Sequence, residues 1–311
     1  MSFSGAVKRE LADIMPSTVH CRAAQLAAVL GLTGEIGFGP GGRMMLMMTS
    51  ENRCIVHSAA ALITRITGAK PEVSVTAGRE RKGRTYLLAV TDRECTAKIL
   101  RSTGYLNSRG VLRDFSLPPA DAVIKKGCCR KAYIRGALMA AGSMSDPAKS
   151  YHLEFICRSA EKAEAVRDIL ASFGIVSKVM TRKQSDIVYI KGSDGIADTL
   201  NLAGAHRCLL DMENIRVLRG ISGNVNRKVN CETANLGKTI EASVEQIRSI
   251  EKIRDTKGFA FLAPALRQAA EARLENPDLS LKDLGALLSP PVGKSGMNHR
   301  LRKLKQIADE L

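Results

Sequence analysis

The stretch YIRGALMAAGSM, Tyr133–Met144, sets a glycine, Gly136, inside an apolar helical run and ends that run on Ala141-Gly142. Glycine inside a helix costs about 1 kcal/mol against alanine, so the position implies a close neighbour that a side chain would exclude. Self-comparison of the chain supplies a candidate. LAAVLGLTG (Leu26–Gly34) resembles IRGALMAAG (Ile134–Gly142), with Ala28 standing 108 residues before Gly136. Two tandem copies that share such a helix are expected to cross there, with Ala28 and Gly136 as packing residues.

The segments after each copy also match. Two strand-like pieces follow the first around Pro40-Gly41-Gly42, and two follow the second around Asp146-Pro147. Next come helical patterns, NRCIVHSAAALITRITG (52–68) and SAEKAEAVRDILASFG (159–174), each closing on a glycine as helices commonly do. Basic hairpins EVSVTAGRERKGRTYLLAV (72–90) and VSKVMTRKQSDIVYIK (176–191) lead into the last helices, 93–107 and 195–206. Each half therefore reads helix, strand, strand, helix, strand, strand, helix.

The two nine-residue runs resemble the paired helices of the LAGLIDADG homing endonuclease family, and the resemblance covers roughly residues 20–210. It implies two αββαββα halves whose sheet straddles DNA. In that family the next-to-last motif residue is acidic, and the two carboxylates hold divalent cations at the scissile phosphates. Here the matching residues are Thr33 and Ala141. A methyl group does not bind a cation and a hydroxyl binds one poorly, whereas hard Mg²⁺ takes carboxylate oxygen. Glu35 and Asp146 lie nearby but out of register with each other. No catalytic residue is assigned. Arg79, Arg81, Lys82, Arg84, Arg182 and Lys183 on the two hairpins read either as phosphate contacts or as solvated tips.

Composition supports a polyanionic partner. The 311 residues carry a formal net charge of +16, while 45% hydrophobic and 25% charged content is ordinary for a globular protein. No apolar run of about 18 residues is present, so neither a membrane span nor a signal peptide is expected. Eight cysteines at 21, 54, 95, 128, 129, 157, 208 and 231 show no C-x-x-C spacing and no His at finger spacing. No metal, cofactor or disulfide framework is expected, and the thiols read as those of a reducing cytoplasm. His20, His57, His152, His206 and His299 stand without acid partners at useful spacing, and GPGG (39–42) is not followed by a helix, so no small-molecule substrate is indicated.

Residues 211–235 are polar and Asn-rich and read as a connector. Beyond them the chain is helical to its end. SLKD (Ser280–Asp283) is a capping pattern that opens a short helix, and Ser289-Pro290-Pro291-Val292-Gly293 stops it. In the last helix Met297, Leu301, Leu304 and Ala308 form an apolar stripe. No acid occurs from Leu284 to Ala308, whereas Lys294, Arg300, Arg302, Lys303 and Lys305 are basic. A short helix, a turn and a basic helix make a helix-turn-helix whose second helix enters the major groove. Ser295, Asn298 and Arg302 suit base edges, with Lys294, His299, Arg300, Lys303 and Lys305 completing the expected DNA-binding set.

With NRKVNCETAN (226–235) and PPVGKSGMNHRLRKL (290–304), the whole chain closely resembles the WhiA family of bacterial sporulation and cell-division regulators. The fold class read from the sequence is α+β. It comprises an N-terminal helical segment (1–20) and a pseudo-symmetric tandem αββαββα LAGLIDADG-like domain (21–210, halves about 21–107 and 128–206). A connector (211–235) and an all-α helix-turn-helix domain (236–311) follow. The resemblance implies a non-enzymatic, cytoplasmic, nucleoid-associated, sequence-specific binder of double-stranded DNA, working in cell division, chromosome segregation and sporulation gene control. A second transcription regulator or a division protein is the further partner to expect. Two alternatives stay open: a protein–protein adaptor of the division machinery with incidental DNA binding, and a residual metal-dependent nuclease.

Overall fold

The close neighbour of Gly136 is a backbone. In a computed structural model, which describes residues 2–39, 44–77, 84–183 and 185–311 and only the backbone of Asn224, a Cβ on Gly136 would lie 2.3 Å from the Gln25 carbonyl oxygen and 2.9 Å from Ala28 Cβ. The helices that meet there are α2 (Val19–Thr33) and α6 (Gly127–Ala141). Both are apolar on nearly every side. Ala23 to Leu32 of α2 are all buried, as expected of a helix enclosed by its own domain. Buried Gln25 accepts from Arg135 Nη1 at 3.4 Å, and Arg135 Nε donates to the Ala203 carbonyl at 2.6 Å.

Each motif helix opens one half. After α1 (Phe3–Ala12) and α2 come β1 (Gly34–Phe38), β2 (Met44–Ser50), α3 (Arg53–Thr67), β3 (Glu72–Ala77), β4 (Arg84–Val90) and α4 (Arg93–Ser102). The second half follows a short α5 (Asp121–Ile124). It has α6, β5 (Gly142–Met144), β6 (His152–Cys157), α7 (Ala160–Ala171), β7 (Lys178–Arg182), β8 (Ser185–Lys191) and α8 (Ser193–Ala203). The sheets repeat one topology, β1-β2-β4-β3 and β5-β6-β8-β7, with antiparallel neighbours. Local chemistry sets the boundaries: Asn52, Asp92 and Ser159 accept first-turn N–H groups, and Gly68 closes α3 in the left-handed region at φ 86°.

Two cores lie either side of the seam. Leu26, Val29 and Leu30 of α2 join Leu46, Met48, Ile63, Leu88 and Ile99 in the first. Ala28 and Leu32 of the same helix join Ile134, Phe155, Val166 and Val188 in the second, together with Val7 and Leu11 of α1. The N-terminal segment is thus packed into the second half's core. Glu10 of α1 accepts from the N–H groups of Arg207 and Cys208 at 2.8 and 2.9 Å, which satisfies the start of the next helix.

That helix, α9 (His206–Lys257), has 52 residues and corrects the reading of 211–235 as a polar segment with weak signals: the whole stretch is helical. Gly220, Gly223, Gly237 and repeated Asn depress local helix propensity, but no proline interrupts the hydrogen-bond ladder. The chain divides into two compact units, Met1–Arg219 and Gly220–Leu311. In the second unit the end of α9 packs with α10 (Pro264–Glu275), α11 (Leu281–Ala286) and α12 (Lys294–Asp309).

Candidate nucleic-acid interface

The stripe on α12 faces inward. Met297, Leu301, Leu304 and Ala308 are buried against Ile250, Ile253, Leu266, Ala269, Ala270 and Leu284. Ser280 opens α11 by accepting from the Asp283 N–H at 3.3 Å, while its hydroxyl donates to Asp283 Oδ2 at 2.6 Å. The turn that follows spans residues 287–293, seven residues against the five read from the sequence, because α11 ends at Ala286. Val292 N–H donates to the Gly285 carbonyl at 2.9 Å. A Cβ on Gly285 would lie 2.2 Å from the Val292 carbonyl oxygen, so this glycine is what lets the turn fold back on α11. Lys252 of α9 donates to the Ala308 carbonyl at 2.8 Å and caps the far end of α12.

With the stripe buried, Lys294, Ser295, His299, Arg302, Lys303 and Lys305 are exposed, and Asn298 and Arg300 are half-buried. Two of these already have partners inside the unit. Arg300 Nη1 donates to the Ala265 carbonyl at 3.4 Å, and Lys305 Nζ pairs with Glu245 of α9. Glu245 also raises the Lys305 pKa. Arg302 and Lys303 form no ion pair among the described residues. The result is a cationic helix start, Lys294-Ser295, leading into one free guanidinium and one free ammonium.

At the C-terminal ends of the crossed helices the acid positions are filled otherwise. Thr33 turns its hydroxyl back to the Val29 carbonyl at 2.7 Å, and Ala141 carries only a methyl group. Glu35 faces Arg158 at 3.3 Å, and Asp146 accepts from the Ala148 N–H at 3.0 Å. No carboxylate cluster able to hold a metal ion lies there among the described residues. Lys162, missed in the sequence because it reads as a surface residue of α7, is buried and donates to the carbonyls of Gly31 and Phe115. Burial lowers its pKa to about 8.

The two sheets differ on the face turned away from their cores. Strand alternation puts Met45, Met47, Leu87 and Ala89 there in the first sheet, with Glu35 and Glu72 beside them in register. The second sheet presents Glu154, Tyr189, Lys178, Lys191 and Arg182, together with exposed Ile156 and Met180. Arg84, Arg182 and Lys183 are exposed, while Arg79, Arg81, Lys82 and the turn residues Pro40–Gly42 lie outside the described residues.

Two further readings need correction. His152 is not isolated: Nε2 lies 2.6 Å from Glu154 Oε1, because residues two apart on a strand share a face. The cysteines are not all scattered: Cys21, Cys128 and Cys129 meet one another and His20. The repeat carried the signal, since the 108-residue offset superposes His20-Cys21 on Cys128-Cys129.

Three family models match this chain: a WhiA N-terminal LAGLIDADG-like domain over residues 19–106, a WhiA LAGLIDADG-like domain over 130–222, and a WhiA C-terminal HTH domain over 225–308. Proteins named "Probable cell division protein WhiA" from Lachnospira eligens and Thermoanaerobacter pseudethanolicus are 45% and 43% identical, over 100% of this chain and 98% of each relative. The crystal structure of full-length WhiA from Thermatoga maritima superposes with a TM-score of 0.58 at 22% identity, covering 100% of this chain and 99% of that one. At that identity the superposition supports the fold alone. Among the described residues no helix is long and apolar enough to cross a membrane.

Proposed function

The chain belongs to the WhiA family, and on that premise we propose that it is a sequence-specific binder of double-stranded DNA that acts as a regulator in cell division. One observation carries the reading: burial of the α12 stripe leaves Ser295, His299, Arg302 and Lys303 on a solvent face, in a segment without acids. In a helix-turn-helix the N-terminal part of the second helix meets base edges, where Arg pairs with guanine and Asn with adenine. Asn298 and Arg302 are the residues proposed to read sequence. Lys294 and Lys303 are proposed to hold phosphate. Chromosome segregation, sporulation gene control and a cytoplasmic, nucleoid-associated location belong to the same proposal and rest on the family.

The LAGLIDADG-like unit is proposed to be cleavage-dead, because Thr33 and Ala141 stand where two carboxylates would have to converge. Supercoiled plasmid incubated with purified protein and Mg²⁺ or Mn²⁺ should stay intact; chelator-sensitive nicking that co-purifies with the protein overturns this. For DNA reading, the test is affinity for sites recovered by crosslinking compared with random duplex. Equal affinity for both, at every salt concentration, overturns the regulator reading and favours a protein–protein adaptor. The apolar outer face of the first sheet, with Met45, Met47 and Leu87 and two acids, suits a protein surface better than phosphate.

A further inference from the structure

The N-terminal ends of the crossed helices gather four ligand atoms of the kind that zinc takes. His20 and Cys21 sit in the first turn of α2, and Cys128 and Cys129 in the first turn of α6. One ligand atom from each of the four, a ring nitrogen or Sγ, lies within 4.8 Å of every other. His20 Nδ1 is 3.2 Å from Cys129 Sγ and 3.3 Å from Cys21 Sγ. A tetrahedral ion with Zn–S near 2.3 Å and Zn–N near 2.0 Å has ligand-to-ligand edges of about 3.5–3.8 Å. The His20 distances fall a few tenths of an ångström short of those edges and no pair exceeds 4.8 Å, so closing on an ion takes side-chain shifts of at most about 1 Å.

From this geometry we infer that His20, Cys21, Cys128 and Cys129 form a structural Zn²⁺ site that clasps the two motif helices together. A Cys₃His set with all four positions supplied by protein is the closed kind that structural zinc uses, with no position left for a reacting water. Binding exchanges the metal for the three thiol protons, which leave to solvent, so the bound set carries a net charge of −1. Two features favour that charge. The ligands sit at the N-termini of both helices, where the helix dipole stabilises thiolates. Cationic residues flank the ligands in sequence: Arg22 on one side, and Lys125, Lys126, Arg130 and Lys131 on the other. Soft thiolates also select zinc over the Mg²⁺ of a nuclease centre. The site lies at the opposite end of α2 from Thr33, about 20 Å away along the helix. The metal chemistry of this fold is thereby proposed to have moved from cutting DNA to joining the halves.

The test uses the full chain, purified reduced and without chelator. It should carry one zinc per chain by elemental analysis. Replacing Zn²⁺ with Co²⁺ should give the visible absorption of a tetrahedral site together with near-ultraviolet thiolate-to-cobalt charge transfer. His20→Asn and Cys128→Ser change exposed positions, so the fold should survive, as checked by circular dichroism; both should lose the stoichiometric zinc. Cys54→Ser and Cys231→Ser, outside the cluster, should keep it. Chelator should lower the melting temperature of the wild type, and Zn²⁺ should restore it, while neither affects the two cluster variants. Reduced wild type that takes up neither zinc nor cobalt with thiolate absorption overturns the site. So does undiminished zinc in both cluster variants, or recovery of Cys21 and Cys129 as a disulfide in protein that binds no metal once reduced.

Discussion

Helices α6 and α12 have 15 and 16 residues, and they use their surfaces in opposite ways. In α6 the buried residues include Cys129, Ala132, Tyr133, Ile134, Gly136, Ala137, Leu138 and Met139, spread around the cylinder. In α12 they are four, on one line. A helix enclosed on all sides has no face left for a ligand and contributes only at its ends, where backbone groups and terminal side chains emerge. A helix buried along one stripe keeps the rest of its circumference for a partner. In α6 the ends therefore hold what is chemically distinctive, Ala141 at one and the two cysteines at the other. In α12 the distinctive groups lie along the shaft. The same difference predicts how substitutions behave in each.

The most disruptive expected change is Leu301→Asp, which puts a carboxylate into the core shared by Ile250, Ala269 and Leu284. Burial of an unpaired charge should cost more than about 4 kcal/mol and unfold the Gly220–Leu311 unit. Calorimetry should show the transition of that unit lost and the transition of Met1–Arg219 retained. Loss of both together would mean that the units do not fold separately. Gly136→Leu tests the other helix. A Cβ there already meets the Gln25 carbonyl oxygen, so the larger side chain should overpack the seam by roughly 2–3 kcal/mol and lower only the first unit's transition. An unchanged melting temperature would show that α2 and α6 can separate there without loss.

Lys162 tests burial through pH. Burial lowers its pKa from 10.5 to about 8, so between those values the unfolded chain binds more protons than the folded one. Stability must then rise with pH across that window, by at most about 3 kcal/mol in full. Cys157 and Cys208 act the other way above pH 9: burial pushes both up to about 12, so the unfolded chain loses those protons first. The readout is accordingly the difference between wild type and Lys162→Met in urea melts at a series of pH values. A difference that stays flat from pH 8 to 10.5 would show that Lys162 is solvated.

The repeat was legible in the sequence because every element of each half has short-range signals: alternating strands, glycine stops and Asn, Asp or Ser at helix starts. The α12 stripe was legible for the same reason. What failed depends on contacts or on negative evidence. The 211–235 segment was missed as helix because its Gly and Asn content argues against one locally. Its aliphatic residues Ile221, Val225 and Val229, four apart, stay exposed. Lys162 was missed because nothing in AEKAEAVRD shows which carbonyls lie over it. The His–Cys cluster has no ligand spacing along the chain, because the fold builds it from two copies of one position.

On α12 itself the expected effects are smaller and differ in kind. Arg302→Ala or Asn298→Ala should cost about 1–3 kcal/mol on a cognate site and relax preference at one base position. Equal weakening on cognate and random duplex would mean that the helix binds charge and reads nothing.

The finest distinction separates two lysines two residues apart. Lys303 is exposed and unpaired among the described residues, while Lys305 is held by Glu245 from α9. A phosphate contact releases condensed counterions, so a lysine that makes one contributes about one unit to the slope of log affinity against log salt. Lys303→Ala should therefore weaken cognate and random DNA alike and flatten that slope by about one. Lys305 has to leave Glu245 before it can meet phosphate, and the acid left behind would repel the backbone. Lys305→Ala should consequently change the slope by less than half as much. Glu245→Gln should steepen it, because the ammonium is then released to the DNA. If Lys305→Ala flattens the slope as much as Lys303→Ala does, the Glu245 pair opens on binding and both lysines face the phosphates.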